Sequence, residues 1–101
     1  MPTPLSNAQK RYLRGLAHDL KPIIQTGAKG VTPGLVAELN LALEQHELVK
    51  VKVAAEDREA RDAAIVELVG HSGAELVNRI GHTAVLFRRS QDKPLVILPR
   101  A

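Results

Sequence analysis

Apolar and basic positions alternate at helical spacing near the start of the chain. Ser6 and Gln9 form a capping-box signature, which predicts a helix from about Asn7 to His18. At about 100° per residue, one arc of this helix is apolar and another is basic. The apolar arc holds Tyr12, Leu13, Leu16, Ala17 and Leu20, and the basic arc holds Lys10, Arg11, Arg14 and His18. We expect the apolar arc to pack against a core.

A short strand and a glycine loop follow the first helix. Because the residue before a proline disfavours helical backbone, Lys21-Pro22 ends the helix, and Pro22 to Gln25 is a strand candidate. The loop Gly27-Ala28-Lys29-Gly30 comes next. Thr32-Pro33 then has the cap and first-turn residues that are typical of a second helix. The glycine loop is therefore predicted to join a strand to a helix.

The second helix and the strand after it are both amphipathic. Leucines recur every four residues along the helix, which ends near His46. From Leu48 to Ala54, valines alternate with Lys50 and Lys52. Because side chains alternate across a strand, this pattern predicts one face on a core and one face that carries two lysines.

The last third of the chain predicts a helix and a hairpin. The acids Glu56-Asp57 favour the start of a third helix, which closes at Gly73. Glu75 to Ile80 and Thr83 to Arg88 have the pattern of two paired strands. The predicted order is α-β-α-β-α-β-β, a single compact α/β domain over residues 1–101 with a core of about residues 5–90. Prolines flank the apolar run in the tail, 91–101, which is a candidate edge strand only.

Composition narrows the class of protein. The chain has 101 residues, 45% of them hydrophobic and 25% charged, which suits one domain. With no cysteine, a disulfide scaffold, a thiolate metal site and a cysteine nucleophile are excluded. No basic segment followed by an apolar run opens the sequence, and no stretch is long enough to span a bilayer. We expect a cytoplasmic protein without a membrane partner.

Charge is unevenly distributed along the chain. The net charge is +4 over residues 1–36, −5 over residues 37–75 and +4 over residues 76–101. If both ends fold onto one side, they present a concentrated positive field to a polyanion, whose bound counterions are released on contact. The acidic middle leaves an alternative open: a module that docks a basic protein through Glu38, Glu44, Glu47, Glu56, Asp57 and Glu59.

The sequence carries little that suggests catalysis. No pair among the four histidines has the i, i+4 spacing of a helical zinc site, and no G-x-S-x-G elbow is present. A small hydrolase would need converging acid and base groups, which the pattern does not show. We therefore expect no enzyme, no metal and no cofactor.

The glycine loop instead indicates binding to an anion. Two glycines allow a tight turn and a close approach, the dipole of the following helix favours a phosphate, and Lys29 adds a cation. The spacing by itself is weak evidence, since Gly70 to Gly73 shares it at the predicted end of a helix. Tyr12 and Phe87 are the only aromatic residues, so base stacking cannot dominate. Contact with the sugar-phosphate backbone, as in the G-x-x-G clamp of KH domains, fits better.

Several ordered blocks of residues resemble one known family. They are Leu13 to His18, Leu20 to Pro22, Gly27 to Thr32, Ala42 to Lys52, Ile80-Gly81 and Val85 to Arg88. Together they cover nearly the whole chain and are more specific than one tetrapeptide. In these blocks the chain closely resembles the CRM domain family (chloroplast RNA splicing and ribosome maturation), in its bacterial stand-alone YhbY-like form.

The resemblance implies a fold, a function and partners. The fold is a mixed four-stranded sheet packed with helices, similar to the C-terminal domain of bacterial translation initiation factor three. The function is RNA binding in association with precursors of the large ribosomal subunit, with ribosomal RNA as the partner and ribosomal proteins as further candidates. We expect a monomer.

The resemblance also directs attention to particular residues. Gly27, Lys29 and Gly30 match the family loop. The cations in the matching basic region are Lys10, Arg14 and Lys21. Phe87 stands where the family pattern has tyrosine, and Arg89 stands where it has proline, which adds charge after the hairpin. The predicted RNA-binding residues are Gly27, Ala28, Lys29, Gly30, Lys10, Arg14, Lys21, Arg88 and Arg89. Whether the lysines of the second strand belong to this site is left open.

Reversing the charge of the loop lysine tests its assignment to the phosphate site. We expect Lys29→Glu to weaken binding to RNAs of different sequence by similar factors, because phosphate contacts carry no sequence information. Affinities of the variant and the wild type for several RNAs check this expectation. Unchanged affinities would remove Lys29 from the site.

Overall fold

The computed structural model describes residues 5–26 and 30–90. Three helices and four strands follow one another in the predicted order, which is thereby confirmed. They are α1 (Asn7–Ala17), β1 (Ile24–Thr26), α2 (Pro33–His46), β2 (Leu48–Val53), α3 (Arg58–Ser72), β3 (Glu75–Ile80) and β4 (Thr83–Phe87). The loop residues 27–29 and the candidate edge strand in 91–101 lie outside the described residues.

The four strands form one mixed sheet in the order β1-β2-β4-β3. Strands β1 and β2 are parallel, since α2 carries the chain back between them. The other two pairs are antiparallel, and the two-residue turn at Gly81-His82 joins β3 to β4. Between Leu76 and Asn78 the register shifts by one residue, as in a β-bulge. The predicted α/β domain with a mixed four-stranded sheet is therefore confirmed.

Helices cover both faces of the sheet. The larger core lies under α2 and α3 and includes Leu43, Leu68 and the valines of β2. The smaller core lies under α1, where Leu13 and Ala17 meet side chains of three strands. These strand residues are Leu48, Val77, Val85 and Phe87. The alternation in β2 predicted this division, because Val49, Val51 and Val53 are buried on the face opposite to the two lysines.

Local capping explains where the helices begin and end. Ser6 and Gln9 form the predicted capping box, with a 3.1 Å bond from the Gln9 amide to the Ser6 hydroxyl. The Asp57 carboxylate accepts from the Ala60 amide at 2.8 Å and so begins α3. Gly73 ends α3 with a φ of 71°, the left-handed backbone that glycine adopts at little cost.

The predicted apolar arc of α1 is only partly buried. Leu13 and Ala17 are enclosed, whereas Tyr12, Leu16 and Leu20 are 43%, 40% and 40% exposed. A lone helix on a sheet buries a narrow strip, and within the described residues no second helix lies beside α1 to cover its flank. Leu20 lies three residues beyond the end of α1 at Ala17. The expectation that the whole arc packs inward was wrong for these three residues.

The first strand begins later than predicted. Regular pairing with β2 begins at Ile24, which the register sets opposite Val51, and runs to Thr26. Ile23 makes the first contact with β2, through a 3.2 Å bond from its amide to the Lys50 carbonyl. The shift matters because it places the end of β1 directly before the glycine loop.

Arg88 fastens the end of β4 to both helices of the larger layer. Its Nη1 donates to the Asn40 Oδ1 at 2.8 Å and to the Ser72 carbonyl at 2.6 Å. Its Nη2 donates to the Asn40 carbonyl at 3.1 Å and lies 3.4 Å from a Glu44 carboxylate oxygen. We call these contacts of Arg88 with Asn40, Ser72 and Glu44 the Arg88 clasp.

A buried glutamate at the end of α2 holds the backbone that carries Arg88. Glu47 is fully buried and adopts a φ of 62°, in the left-handed region, immediately after α2. Its Oε2 accepts from the Ser90 amide at 2.6 Å, and its carbonyl accepts from the Arg88 amide at 3.0 Å. The hydrogen bonds from residues 88–90 to Glu47 thus stabilise its strained backbone conformation.

The clasp predicts a large difference between two neighbouring arginines. We expect Arg88→Met to lower the free energy of unfolding by about 2–3 kcal/mol, because partly buried carbonyl acceptors would lose charge-assisted hydrogen bonds. Arg89→Met is the matched control, since Arg89 is exposed, and should change stability by less than about 0.5 kcal/mol. Urea denaturation of both variants measures the difference. Equal stabilities would contradict a structural role for the clasp.

Candidate nucleic-acid interface

Gly30 is the part of the predicted loop that the structure describes. Its φ of +72° lies in the left-handed region, and a Cβ built there would meet no atom of the described residues within 4 Å. Glycine is therefore favoured at this position by its backbone conformation. Gly27, Ala28 and Lys29 lie outside the described residues, so their assignments stay predictions.

Helix α2 begins at Pro33, three residues beyond Gly30. Thr32 caps it as predicted, with its hydroxyl accepting from the Leu35 amide at 3.1 Å. Pro33 carries no amide hydrogen, and the Val36 amide bonds to the Thr32 carbonyl at 3.0 Å. Among the first-turn amides of α2, only that of Gly34 has no acceptor within the described residues. An anion here would rely mainly on the loop and Lys29.

Two of the predicted cations lie together on one flank of α1. At about 100° per residue, Lys10 and Arg14 lie about 60° and 100° to one side of Leu13, and Leu16 lies about 60° to the other. Leu13 faces the sheet, and the Leu16 flank faces the beginning of β2. Lys10 and Arg14 therefore flank the sheet on the side toward the later residues of β2.

Lys21 lies at the edge of a groove beside the other flank of α1. This apolar groove has a volume of about 410 Å³ and is lined by Leu16, Leu20, Lys21, Ile23, His46, Leu48, Val49 and Lys50. The Lys50 Nζ donates to the Leu20 carbonyl at 3.0 Å, which ties the segment after α1 to β2. Lys21 is exposed at the start of the segment that leads into β1.

The structure does not bring Arg88 to the surface near α1. Its clasp reaches α2 and α3, which cover the opposite face of the sheet. Arg89 is exposed next to it. Sequence reasoning missed the internal role of Arg88 because Asn40 and Ser72 are far away in the chain and carry no pattern that marks them as partners.

Several acids of the acidic middle have internal roles. Glu44 contacts the Arg88 guanidinium and accepts from the Ser90 hydroxyl at 2.9 Å. Glu47 is buried, and Asp57 caps α3. Among the six acids suggested for docking, Glu38, Glu56 and Glu59 are exposed and take no part in these contacts. These exposed acids are fewer than the sequence suggested, which leaves a smaller surface for docking a basic protein.

The described part of the chain offers neither a metal site nor a membrane span. Within residues 5–26 and 30–90, no group of three histidine, aspartate or glutamate side chains is arranged to hold a metal ion. None of the helices described there has the length and apolarity that crossing a bilayer requires.

Comparisons with known proteins agree on one family. The model of the CRS1/YhbY (CRM) domain matches residues 5–88. A protein of Haemophilus influenzae named "RNA-binding protein" is 46% identical over 98 residues, which cover 97% of this chain and 98% of that protein. "Probable RNA-binding protein YqeI" of Bacillus subtilis is 39% identical over 95 residues, 94% of this chain and 99% of that protein.

A solved structure is similar throughout. It is the solution structure of a Staphylococcus aureus protein described as a candidate for RNA binding. The two superpose with a TM-score of 0.82 at 34% sequence identity, over 95% of this chain and all of the other. The similarity therefore extends over nearly the whole fold described above.

Gly30 and Gly70 should respond to alanine in opposite directions. We expect Gly30→Ala to destabilise the protein by about 1 kcal/mol, because left-handed backbone is unfavourable for a residue with a Cβ. Gly70 lies in α3 with nothing within 4 Å of a built Cβ, so Gly70→Ala should stabilise by about 0.5–1 kcal/mol. Urea denaturation measures both changes. A Gly30→Ala variant as stable as wild type would show that the backbone does not require glycine there.

Proposed function

Because the chain belongs to the CRS1/YhbY (CRM) domain family, we propose that it binds RNA, chiefly through the sugar-phosphate backbone. The family model matches residues 5–88, and relatives that align with nearly the whole chain are named as RNA-binding proteins. The family match and these names support the kind of partner. The mode of binding rests on the charges and the glycine backbone of this chain.

The observation that carries the backbone mode is a set of cations without acid partners. Lys10, Arg14 and Lys21 form no ion pair or side-chain hydrogen bond with a described residue, whereas Arg79 and Arg88 are paired with Asp62 and Glu44. Cations that are not neutralised within the fold remain available to phosphates, and each contact releases counterions. The left-handed Gly30 marks the exit of the loop expected to hold a phosphate beside Lys29.

The proposed target is ribosomal RNA in precursors of the large ribosomal subunit. The protein would act there in the cytoplasm as a monomer that assists assembly without catalysis, with ribosomal proteins as further partners. This part of the proposal rests on the family resemblance. Few aromatic residues in the sequence favour recognition by shape and charge over stacking on unpaired bases.

Docking of a basic protein through the acidic middle is the less favoured function. Glu44, Glu47 and Asp57 already satisfy Arg88, the Ser90 amide and the start of α3. Carboxylates that hold the fold together are poor candidates for a partner that must displace those contacts. The structure therefore favours a surface for an anion over a surface for a cation.

A fluorescence anisotropy titration with structured fragments of large-subunit ribosomal RNA tests the proposal. We expect affinity to fall steeply with salt, with a slope in log–log form of several units, since each neutralised phosphate contributes about 0.7–0.9. The double variant Lys10→Ala/Arg14→Ala should reduce this slope by up to about 2, because two contacts are removed. Arg58→Ala is the control, since Arg58 is an exposed cation on α3.

The outcomes are clearly separated. A preference for one fragment would locate the natural target. Absence of binding at low salt would contradict the proposed function, and a double variant that behaves like the Arg58→Ala control would remove α1 from the binding surface.

A further inference from the structure

Helix α1 covers only one half of its sheet face. The side chains beneath it, Leu48, Val77, Val85 and Phe87, belong to the end of the sheet where β2 begins. The Leu5 amide donates to the Glu75 carboxylate at 2.9 Å, and the Leu20 carbonyl accepts from Lys50. The segment from residue 5 to residue 20 thus crosses from β3 to β2 and leaves the later residues of β2 uncovered.

One complete cross-strand row lies in the uncovered half. The register places Gln25 opposite Lys52, Lys52 opposite Thr83, and Thr83 opposite Ile80. Since paired residues share a face, all four side chains lie on the α1 side of the sheet. We call these four residues, Gln25, Lys52, Thr83 and Ile80, the lysine row.

The side chains of the lysine row are not those of an apolar docking surface. It offers an amide, an ammonium and a hydroxyl, and its one apolar member, Ile80, lies on the edge strand and is 66% exposed. Lys52 is exposed and forms no hydrogen bond or ion pair with any described residue. The row contains no acid, so the positive charge of Lys52 is not neutralised within it.

The position of the lysine row connects two surfaces that are otherwise separate. On one side lies the flank of α1 with Lys10 and Arg14, which is turned toward the later residues of β2. On the other side lies the end of β1 at Thr26, the neighbour of Gln25, after which the glycine loop follows in the sequence. A backbone that runs from this flank of α1 to the end of β1 would pass over Lys52, which is paired with Gln25.

We propose that the lysine row is the floor of the RNA-binding surface, where Lys52 binds a phosphate and Gln25 and Thr83 hydrogen-bond the adjoining sugar-phosphate backbone. This inference rests on the proposed function and extends it to the sheet. RNA is favoured over a protein partner because the row is polar, of one charge sign and continuous with the basic flank of α1. Without an aromatic side chain, the row cannot hold bases by stacking.

Removal of single cations tests the inference. With the ribosomal RNA fragments and salt series described above, Lys52→Ala should lower the log–log salt slope by about 0.7–0.9 and weaken binding roughly fivefold to tenfold near 0.1 M salt. Arg58→Ala removes another exposed cation, from the opposite side of the sheet, and should change affinity less than about twofold. Thr83→Val keeps the shape of the side chain and removes one hydroxyl, and it should weaken binding without changing the slope.

Each outcome bears on a different claim. If wild type binds and Lys10→Ala/Arg14→Ala weakens binding while Lys52→Ala matches the Arg58→Ala control, the lysine row is not part of the surface and the proposed function stands. If wild type does not bind, the proposed function fails and the inference fails with it. Tighter Lys52-dependent binding of an acidic peptide than of RNA at the same salt would assign the row to a protein partner and overturn the inference.

Discussion

The alternation of side chains along β2 is the constraint on which the rest of the structure depends. This strand pairs with β1 on one side and with β4 on the other, so its register sets the position of both neighbours. Its valines are buried under α2 and α3, and its lysines lie on the opposite face. A slip of one residue would exchange the two faces and bury the lysines, which would be strongly unfavourable.

The same alternation links the core to the proposed binding surface. The lysines can remain near water because α1 covers only the beginning of its face, where Leu48 takes part in the smaller core. One strand therefore supplies apolar contacts to two layers and cations to the surface between α1 and the end of β1. In this strand, the residues that pack in the core alternate with the residues that carry positive charge.

Local signals determined most of the secondary structure. The capping box of Ser6 and Gln9, the Thr32 cap and the left-handed Gly73 act through residues close in sequence, so they could be predicted from the chain alone. The start of β1 was displaced because pairing with β2 decides where a strand begins. Exposure of Leu16 and Leu20 could not be foreseen from helical periodicity, since periodicity does not say whether a second helix lies alongside.

For the candidate site, the sequence by itself determined the chemical character: cations without acid neighbours on α1, a glycine loop between a strand and a helix, and two lysines on one face of β2. Only the tertiary structure decided which cations share a surface. It removed Arg88 to the opposite face, where Asn40 and Ser72 hold it, and it placed Lys52 between the flank of α1 and the end of β1. The physical reason is that charge is a property of the residue, whereas its availability depends on partners that folding brings from distant parts of the chain.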